Sequence, residues 1–92
     1  MELIFRPAFN RSFRKIKNKE VLREIAFILK QIEKAESRDA IGGLKKLRDY
    51  AHYYRIKIKV SARIDYRLVL MIRNKKVWAE DIALAQKIFY KK

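Results

Sequence analysis

Two successive runs in the second half of the chain repeat their side-chain pattern every second residue, and the first of them alternates apolar and charged residues strictly. The first run alternates an apolar set with a cationic set, Tyr54, Ile56, Ile58 and Val60 with Arg55, Lys57 and Lys59. The second run alternates Tyr66, Leu68, Leu70 and Ile72 with Arg67, Val69, Met71 and Arg73. A period of two residues predicts two β-strands, each with one buried face. If residues 61–65 form a hairpin loop, the two apolar sets share one face of the sheet. The opposite face then carries Arg55, Lys57, Lys59 and Arg67.

The first forty residues predict one strand and two helices. Leu3 to Phe5 is a short apolar run that Pro7 ends, which is typical of a strand at the edge of a sheet. Asn10 is a candidate cap for a short helix whose apolar face comprises Phe9, Phe13 and Ile16. Asn18 is a candidate cap for a longer helix that extends to about Glu36. The apolar stripe of this second helix comprises Val21, Leu22, Ile25, Leu29, Ile32 and Ala35.

The Gly42-Gly43 pair separates the helical pattern from the strand pattern. A second turn is predicted at Asn74 to Lys76, followed by a third strand from Val77 to about Ala83. Glu80-Asp81 interrupts the alternation of that strand. A short helix is expected from Leu84 to Tyr90.

These elements predict a single α+β domain over residues 1–92. It would contain a short N-terminal strand, a two-helix hairpin, an antiparallel β meander and a short C-terminal helix. The helical part is expected at about 9–41 and the sheet part at about 44–84. A chain of 92 residues can bury one apolar core, which the helices would form by packing on the apolar face of the sheet.

The composition excludes several classes of protein. The chain has no Cys, which excludes disulfide frameworks, thiolate zinc sites and cysteine nucleophiles. No apolar run approaches the roughly 18 residues of a membrane span, and the N-terminus has no signal-peptide pattern. We therefore expect a cytoplasmic protein that has no membrane partner.

The net charge of +14 favours a polyanionic partner, of which nucleic acid is the first candidate. Residues 44–76 hold eleven basic and two acidic side chains, net +9, so most of the excess lies in the strand region. Tyr50, Tyr53 and Tyr54 flank the cationic strand and are candidates for stacking on unpaired RNA bases. The alternative is a cationic face that is only solvated, as Lys and Arg stems on sheets often are.

Other candidate sites are weaker. His52 is the only histidine, and a lone imidazole beside tyrosines is more often a surface residue than a catalyst. Glu80-Asp81 has no further spaced carboxylate or histidine to complete a metal site. The two adjoining glycines do not form a phosphate-binding loop, since no Lys-Ser or Lys-Thr pair follows them. We predict neither a metal nor another cofactor.

Three stretches carry basic and aromatic residues in a characteristic order. They are Leu44-Lys45-Lys46-Leu47, Tyr53-Tyr54-Arg55-Ile56-Lys57-Ile58 and Asp65-Tyr66-Arg67-Leu68. Their order resembles that of the RelE/HigB/ParE superfamily of small toxins from toxin–antitoxin pairs, and the resemblance spans nearly the whole chain. It implies a RelE-like fold. In the RelE/HigB branch it implies a metal-independent endoribonuclease that cuts mRNA on the ribosome and inhibits translation. A ParE-like member would instead inhibit DNA gyrase without catalysis.

The resemblance also implies roles for individual residues. Arg55, Lys57 and Arg67 match positions that clamp the scissile phosphate and stabilise its developing charge, and Tyr90 matches a stacking or proton-transfer residue. Further contacts to RNA are predicted for Lys45, Lys46, Arg48, Tyr54, Lys59, Arg73 and Lys87. The expected partners are mRNA, the ribosome and an acidic antitoxin protein.

The C-terminal stretch departs from the family pattern. Members usually end in a stretch such as Leu-His-Arg-Lys-x-Ile-Tyr-Lys, and Leu84 to Lys91 is the matching stretch of this chain. Ala85 and Gln86 stand where His and Arg are usual, and neither can carry a charge or transfer a proton. The resemblance therefore implies weakened cleavage. A basic RNA-binding domain without catalysis is a further alternative.

Overall fold

A computed structural model describes residues 1–60 and 65–84. Its elements are β1 (Glu2–Phe5), α1 (Pro7–Lys15), α2 (Lys19–Lys34), a short 3-10 helix (Arg38–Ala40), β2 (Leu44–Lys46), β3 (Tyr53–Lys59), β4 (Asp65–Arg73) and β5 (Lys76–Leu84). The strands form one sheet in the order β1-β5-β4-β3-β2. This arrangement confirms the predicted α+β class.

The predicted antiparallel meander is confirmed, and the sheet as a whole is mixed because the first strand joins it in parallel. β3, β4 and β5 pair antiparallel as expected, but β1 pairs parallel to β5, with Leu3 beside Val77. The helices carry the chain across one face of the sheet, so that β1 and β2 lie at opposite edges. The predicted edge position of the first strand is confirmed. Its parallel pairing joins segments far apart in sequence, and local alternation carries no information about such pairing.

The helix ends follow from their capping residues. Asn18 caps α2 as predicted, because its Oδ1 accepts hydrogen bonds from the backbone N–H groups of Glu20 at 2.8 Å and Val21 at 3.1 Å. The prediction that Asn10 caps the first helix is wrong. That helix begins at Pro7, whose fixed φ and missing N–H suit the first helical position. α2 ends at Lys34, two residues before the predicted boundary.

The core lies between the helices and one face of the sheet. Its helical part comprises Phe9, Ile16, Val21, Ile25, Ile28, Ile32 and Ala35. Its sheet part comprises Tyr54, Ile56, Ile58, Leu68, Leu70, Ile72, Val77, Ala79 and Ile82. Ile28 was missing from the predicted stripe, and Leu22 and Leu29 are only partly buried. The apolar sets of β3 and β4 share the core face, as the alternation predicted.

A β-bulge explains the interrupted pattern of β5. The register places Val69 beside Asp81 but Leu70 beside Ala79, so Glu80 is the extra residue. Its carboxylate forms an ion pair with Arg6 at 3.2 Å. A second hydrogen bond nearby joins α1 to β5, since the Oδ1 of Asp81 accepts from the hydroxyl of Ser12 at 2.7 Å. The acidic pair therefore joins β5 to α1 and to Arg6, the residue just before that helix.

The turns differ slightly from their predicted limits. Asn74 and Lys75 form the β4–β5 turn with φ values of 50° and 65°, whereas Lys76 already belongs to β5. The first hairpin loop was predicted at residues 61–65, but Asp65 is the first residue of β4. Residues 61–64 lie outside the described residues. Of the predicted C-terminal helix, Leu84 ends β5, and residues 85–90 also lie outside that range. Among the described helices, none has the length and apolarity needed to span a membrane.

Candidate functional site

The register of β3 and β4 gathers cations on the sheet face that points away from the helices. Lys57 lies directly opposite Arg67, Arg55 lies opposite Val69, and Lys59 lies opposite Asp65. We call two directly opposite residues of neighbouring strands a row. The side chains of a row lie side by side, with Cβ atoms about 5 Å apart in a regular antiparallel pair. This arrangement confirms that the four cations predicted to share a face do so.

Two further cations extend this face along and across the sheet. Lys45 of β2 lies opposite Arg55, which continues the cationic row to the edge strand. Arg73 follows Arg67 and Met71 at alternate positions of β4, so it lies on the same side. We call this surface the cationic face. It comprises Lys45, Arg55, Lys57, Lys59, Arg67 and Arg73.

Asp65 is an acidic member of the same surface, and the sequence analysis missed it. Its Oδ2 lies 3.9 Å from the Nζ of Lys57, and both side chains are partly exposed. Such a pair contributes at most about 1 kcal/mol to stability, so its main effect is to orient the ammonium group. Oδ1 of Asp65 is buried and accepts no hydrogen bond within the described part of the chain. Residues 65 and 67 are two positions apart and therefore share a face of a strand. This spacing could have assigned Asp65 to the face of Arg67, but the sequence prediction placed Asp65 in the loop.

Two predicted RNA-binding residues lie off the cationic face. Tyr54 is only 7% exposed and points into the core. Its hydroxyl accepts a hydrogen bond of 2.6 Å from Arg38, whose guanidinium lies 5.5 Å from the ring centre. A buried ring cannot stack on an RNA base, so the stacking role predicted for Tyr54 is corrected. Lys46 lies directly opposite Tyr54 and therefore on the same side of the sheet as Tyr54, away from the cationic face. Its ammonium donates a hydrogen bond of 3.1 Å to the carbonyl oxygen of Tyr50.

Two other tyrosines remain available beside the cations. Tyr53 lies opposite Met71 and therefore faces the same side as Arg55. Tyr50 is 62% exposed and packs edge-on against Tyr53, with ring centres 6.2 Å apart. Arg48 is exposed in the same loop. The cationic face thus borders an aromatic pair at one end.

Chemically, the cationic face suits a phosphate group. A guanidinium can donate two parallel hydrogen bonds to a phosphate, while an ammonium acts as an adjustable point charge. The Lys57–Arg67 row offers both kinds of donor, and Arg55 adds a third cation in the adjacent row. The other predicted site residues Tyr90 and Lys87, like Ala85 and Gln86, lie outside the described residues.

Comparison with solved structures shows the fold. No protein-family model and no curated protein matches the sequence. The intact RelBE toxin–antitoxin complex of Escherichia coli contains a chain with a TM-score of 0.71 and 23% identity, over 91% of this chain and 95% of that one. For the RelB–RelE antitoxin–toxin complex of Methanococcus jannaschii the TM-score is 0.75, with 17% identity and 95% of both chains covered. The conserved hypothetical protein HP0894 of Helicobacter pylori gives a TM-score of 0.65 with 19% identity, over 97% of this chain and 99% of that one.

Proposed function

We propose that this protein, which has the fold of the RelE toxins, is a toxin of a toxin–antitoxin pair that cleaves mRNA on the ribosome. The observation that carries the proposal is the row in which Lys57 stands directly opposite Arg67, with Arg55 in the next row. A guanidinium and an ammonium in one row can hold the oxygens of a single phosphate between them. The proposed site of action is the cytoplasm, where translating mRNA is found.

The proposed reaction is attack by a ribose 2′-hydroxyl on the adjacent phosphate. The attacking oxygen loses its proton, the P–O bond to the next nucleotide breaks, and the leaving oxygen gains a proton. Arg55, Lys57 and Arg67 would hold the phosphate and stabilise the additional negative charge in the transition state. Asp65 would keep the ammonium of Lys57 on this face. Tyr90 is the proposed stacking or proton-transfer residue.

The proposed protein partner is a cognate antitoxin of acidic character. Two of the matching folds come from complexes of RelE with RelB, so this fold is known to bind an antitoxin in other organisms. Charge complementarity with a chain of net charge +14 would speed association and favour acidic partners. An acidic segment over the cationic face would also exclude RNA.

Induction of the protein in cells tests the proposal directly. We expect translation to stop and primer extension on a translating mRNA to detect new 5′ ends that map to the ribosomal A site. Purified protein incubated with the same mRNA without ribosomes is the matched control, and it should yield far fewer cuts. Intact mRNA during full induction would refute the nuclease. A supercoiling assay with purified gyrase should detect no inhibition, and inhibition there would favour the gyrase alternative.

Restoring the usual residue at position 86 should raise activity. In the Gln86→Arg variant we expect about tenfold or more faster cleavage, because an additional guanidinium near the developing charge contributes about 1.5–3 kcal/mol. The rate of mRNA cleavage on ribosomes measures the effect. Lys91→Arg keeps the charge of its position and serves as the control. An unchanged rate for Gln86→Arg would show that Gln86 does not occupy the position of the family arginine.

A further inference from the structure

A cleft lies at the end of the sheet where β4 turns into β5, beyond the Arg73 end of the cationic face. Its volume is about 400 Å³. Three non-glycine residues of the described chain have a left-handed backbone, His52 (φ 68°), Asn74 (φ 50°) and Lys75 (φ 65°). All three line this one cleft. Left-handed backbone at non-glycine residues is disfavoured and often marks a functional site, so this coincidence indicates a use for the cleft.

The β4–β5 turn itself explains only part of the strain. A two-residue turn of this kind requires positive φ at both positions, which Asn tolerates and Gly favours. Asn74 fits this requirement, but Lys75 occupies the second position, where a glycine would remove the strain. The lysine therefore costs stability and places an ammonium group at the cleft. His52, in the loop before β3, also has a positive φ and lines the cleft. Its carbonyl oxygen accepts a hydrogen bond of 2.9 Å from the backbone N–H of Ile72.

The charges around the cleft favour an anion. Arg38, Arg73 and Lys75 line it together with His52. Arg38 is already oriented, because it donates a hydrogen bond of 2.6 Å to the hydroxyl of Tyr54. One carboxylate, that of Glu36, also lines the cleft, beside the hydroxyl of Ser37. The cations of the cleft can bind a phosphate group. The carboxylate of Glu36 can accept a hydrogen bond from a sugar hydroxyl.

We propose that this cleft binds a ribonucleotide unit of an RNA strand, separately from the phosphate at the Lys57–Arg67 row. The cations and the N–H of the His52 ring would hold the phosphodiester, and Glu36 or Ser37 would accept a hydrogen bond from the 2′-hydroxyl. An acidic peptide fits less well, because its ionised carboxylates would lie near the carboxylate of Glu36 and have no proton to donate to it in a hydrogen bond. Arg73 and Arg67 lie six residues apart on β4, about 20 Å along an extended strand. One RNA strand can therefore contact the cleft and the cationic face at separate phosphates.

The Lys75→Gly variant separates binding from a structural role. It relieves backbone strain, so we expect the melting temperature to rise. We expect the affinity for a short single-stranded RNA to fall about tenfold, and the slope of log K against log salt to shrink by about 0.7. Lys30→Gln, which removes an exposed cation on α2 away from the cleft, is the matched control and should alter affinity much less. Unchanged affinity in Lys75→Gly, or equal losses in both variants, would overturn the proposal.

Nucleotide titration followed by NMR identifies the ligand. We expect cytidine 3′,5′-bisphosphate to shift the signals of His52 and Asn74, and its 2′-deoxy form and inorganic phosphate to bind more weakly. An equal response to all three compounds would overturn the assignment to a ribonucleotide, and so would absent shifts. The titration is repeated in the Arg67→Ala variant, where binding at the cleft should persist. The cleft is thus tested independently of mRNA cleavage, which can fail without affecting this result.

Discussion

Replacing Arg67 by alanine is expected to lower the rate of ribosome-dependent mRNA cleavage by a factor of about 10² to 10³. The guanidinium stands directly opposite Lys57, where it would donate two hydrogen bonds to the scissile phosphate. Removal of one oriented donor to a developing oxyanion typically has an effect of this size, because the donor binds the transition state more strongly than the ground state. Arg67→Lys keeps the charge but loses the planar pair of donors. Its rate should lie between those of the parent and Arg67→Ala.

Cleavage rates on translating ribosomes measure this effect, with primer extension to locate the cuts. Arg67 is partly buried, so the thermal unfolding of each variant must be measured alongside. Arg23→Ala removes an exposed arginine from α2 and is the matched control, for which we expect nearly parental cleavage. If folded Arg67→Ala protein cuts mRNA as fast as the parent, the cationic face is not the catalytic surface.

The second large effect is expected on stability, in the Leu70→Ala variant. Leu70 is fully buried at the centre of β4, between Tyr54 of β3 and Ala79 of β5. The substitution removes buried methyl groups and leaves a cavity that a central strand cannot close. We expect the free energy of unfolding to fall by roughly 3 kcal/mol, which would lower the melting temperature by more than about 10 °C in a domain of this size.

Urea unfolding followed by circular dichroism measures the loss. Met71→Ala is the matched control, since Met71 is the next residue of β4 and lies half-buried on the opposite face. The control should lose much less stability than Leu70→Ala, because less of its surface leaves water on folding. Equal losses in the two variants would contradict the assignment of the core to the Leu70 side of the sheet.

The sequence predicted the central strands well because each face of a β-strand repeats every second residue. Arg55 and Lys57 could be assigned to one face, and Ile56 and Ile58 to the other, from their parity alone. The same logic placed Tyr54 among the apolar residues, yet its position beside cations suggested base stacking. In the structure Tyr54 is buried, because its ring packs in the core and its hydroxyl accepts a hydrogen bond from Arg38. For Tyr54, its position in the two-residue alternation predicted burial correctly, whereas its nearness in sequence to cationic residues did not predict its role.

Other features of the site depend on contacts between distant segments. The bulge at Glu80 changes which side chains of β5 face the core, and it can be recognised only from pairing with β4. Asp65 reaches the cationic face because the strand begins earlier than the loop pattern suggested. The cleft around His52 and Lys75 combines the segment after α2, from Glu36 to Arg38, with the loop before β3 and the β4–β5 turn. No periodicity within one segment predicts that three such segments meet.

The sequence by itself determined the two-residue period of β3 and β4, the common face of their four cations, and the cap of α2 at Asn18. These features follow from interactions between residues close along the chain or across one hairpin, where backbone geometry leaves few choices. The tertiary structure decided the parallel pairing of β1 with β5, the burial of Tyr54, and the separation of Lys46 from the cationic face. These features depend on which surfaces of distant segments bury the most apolar area together, and that balance exists only once the chain has folded.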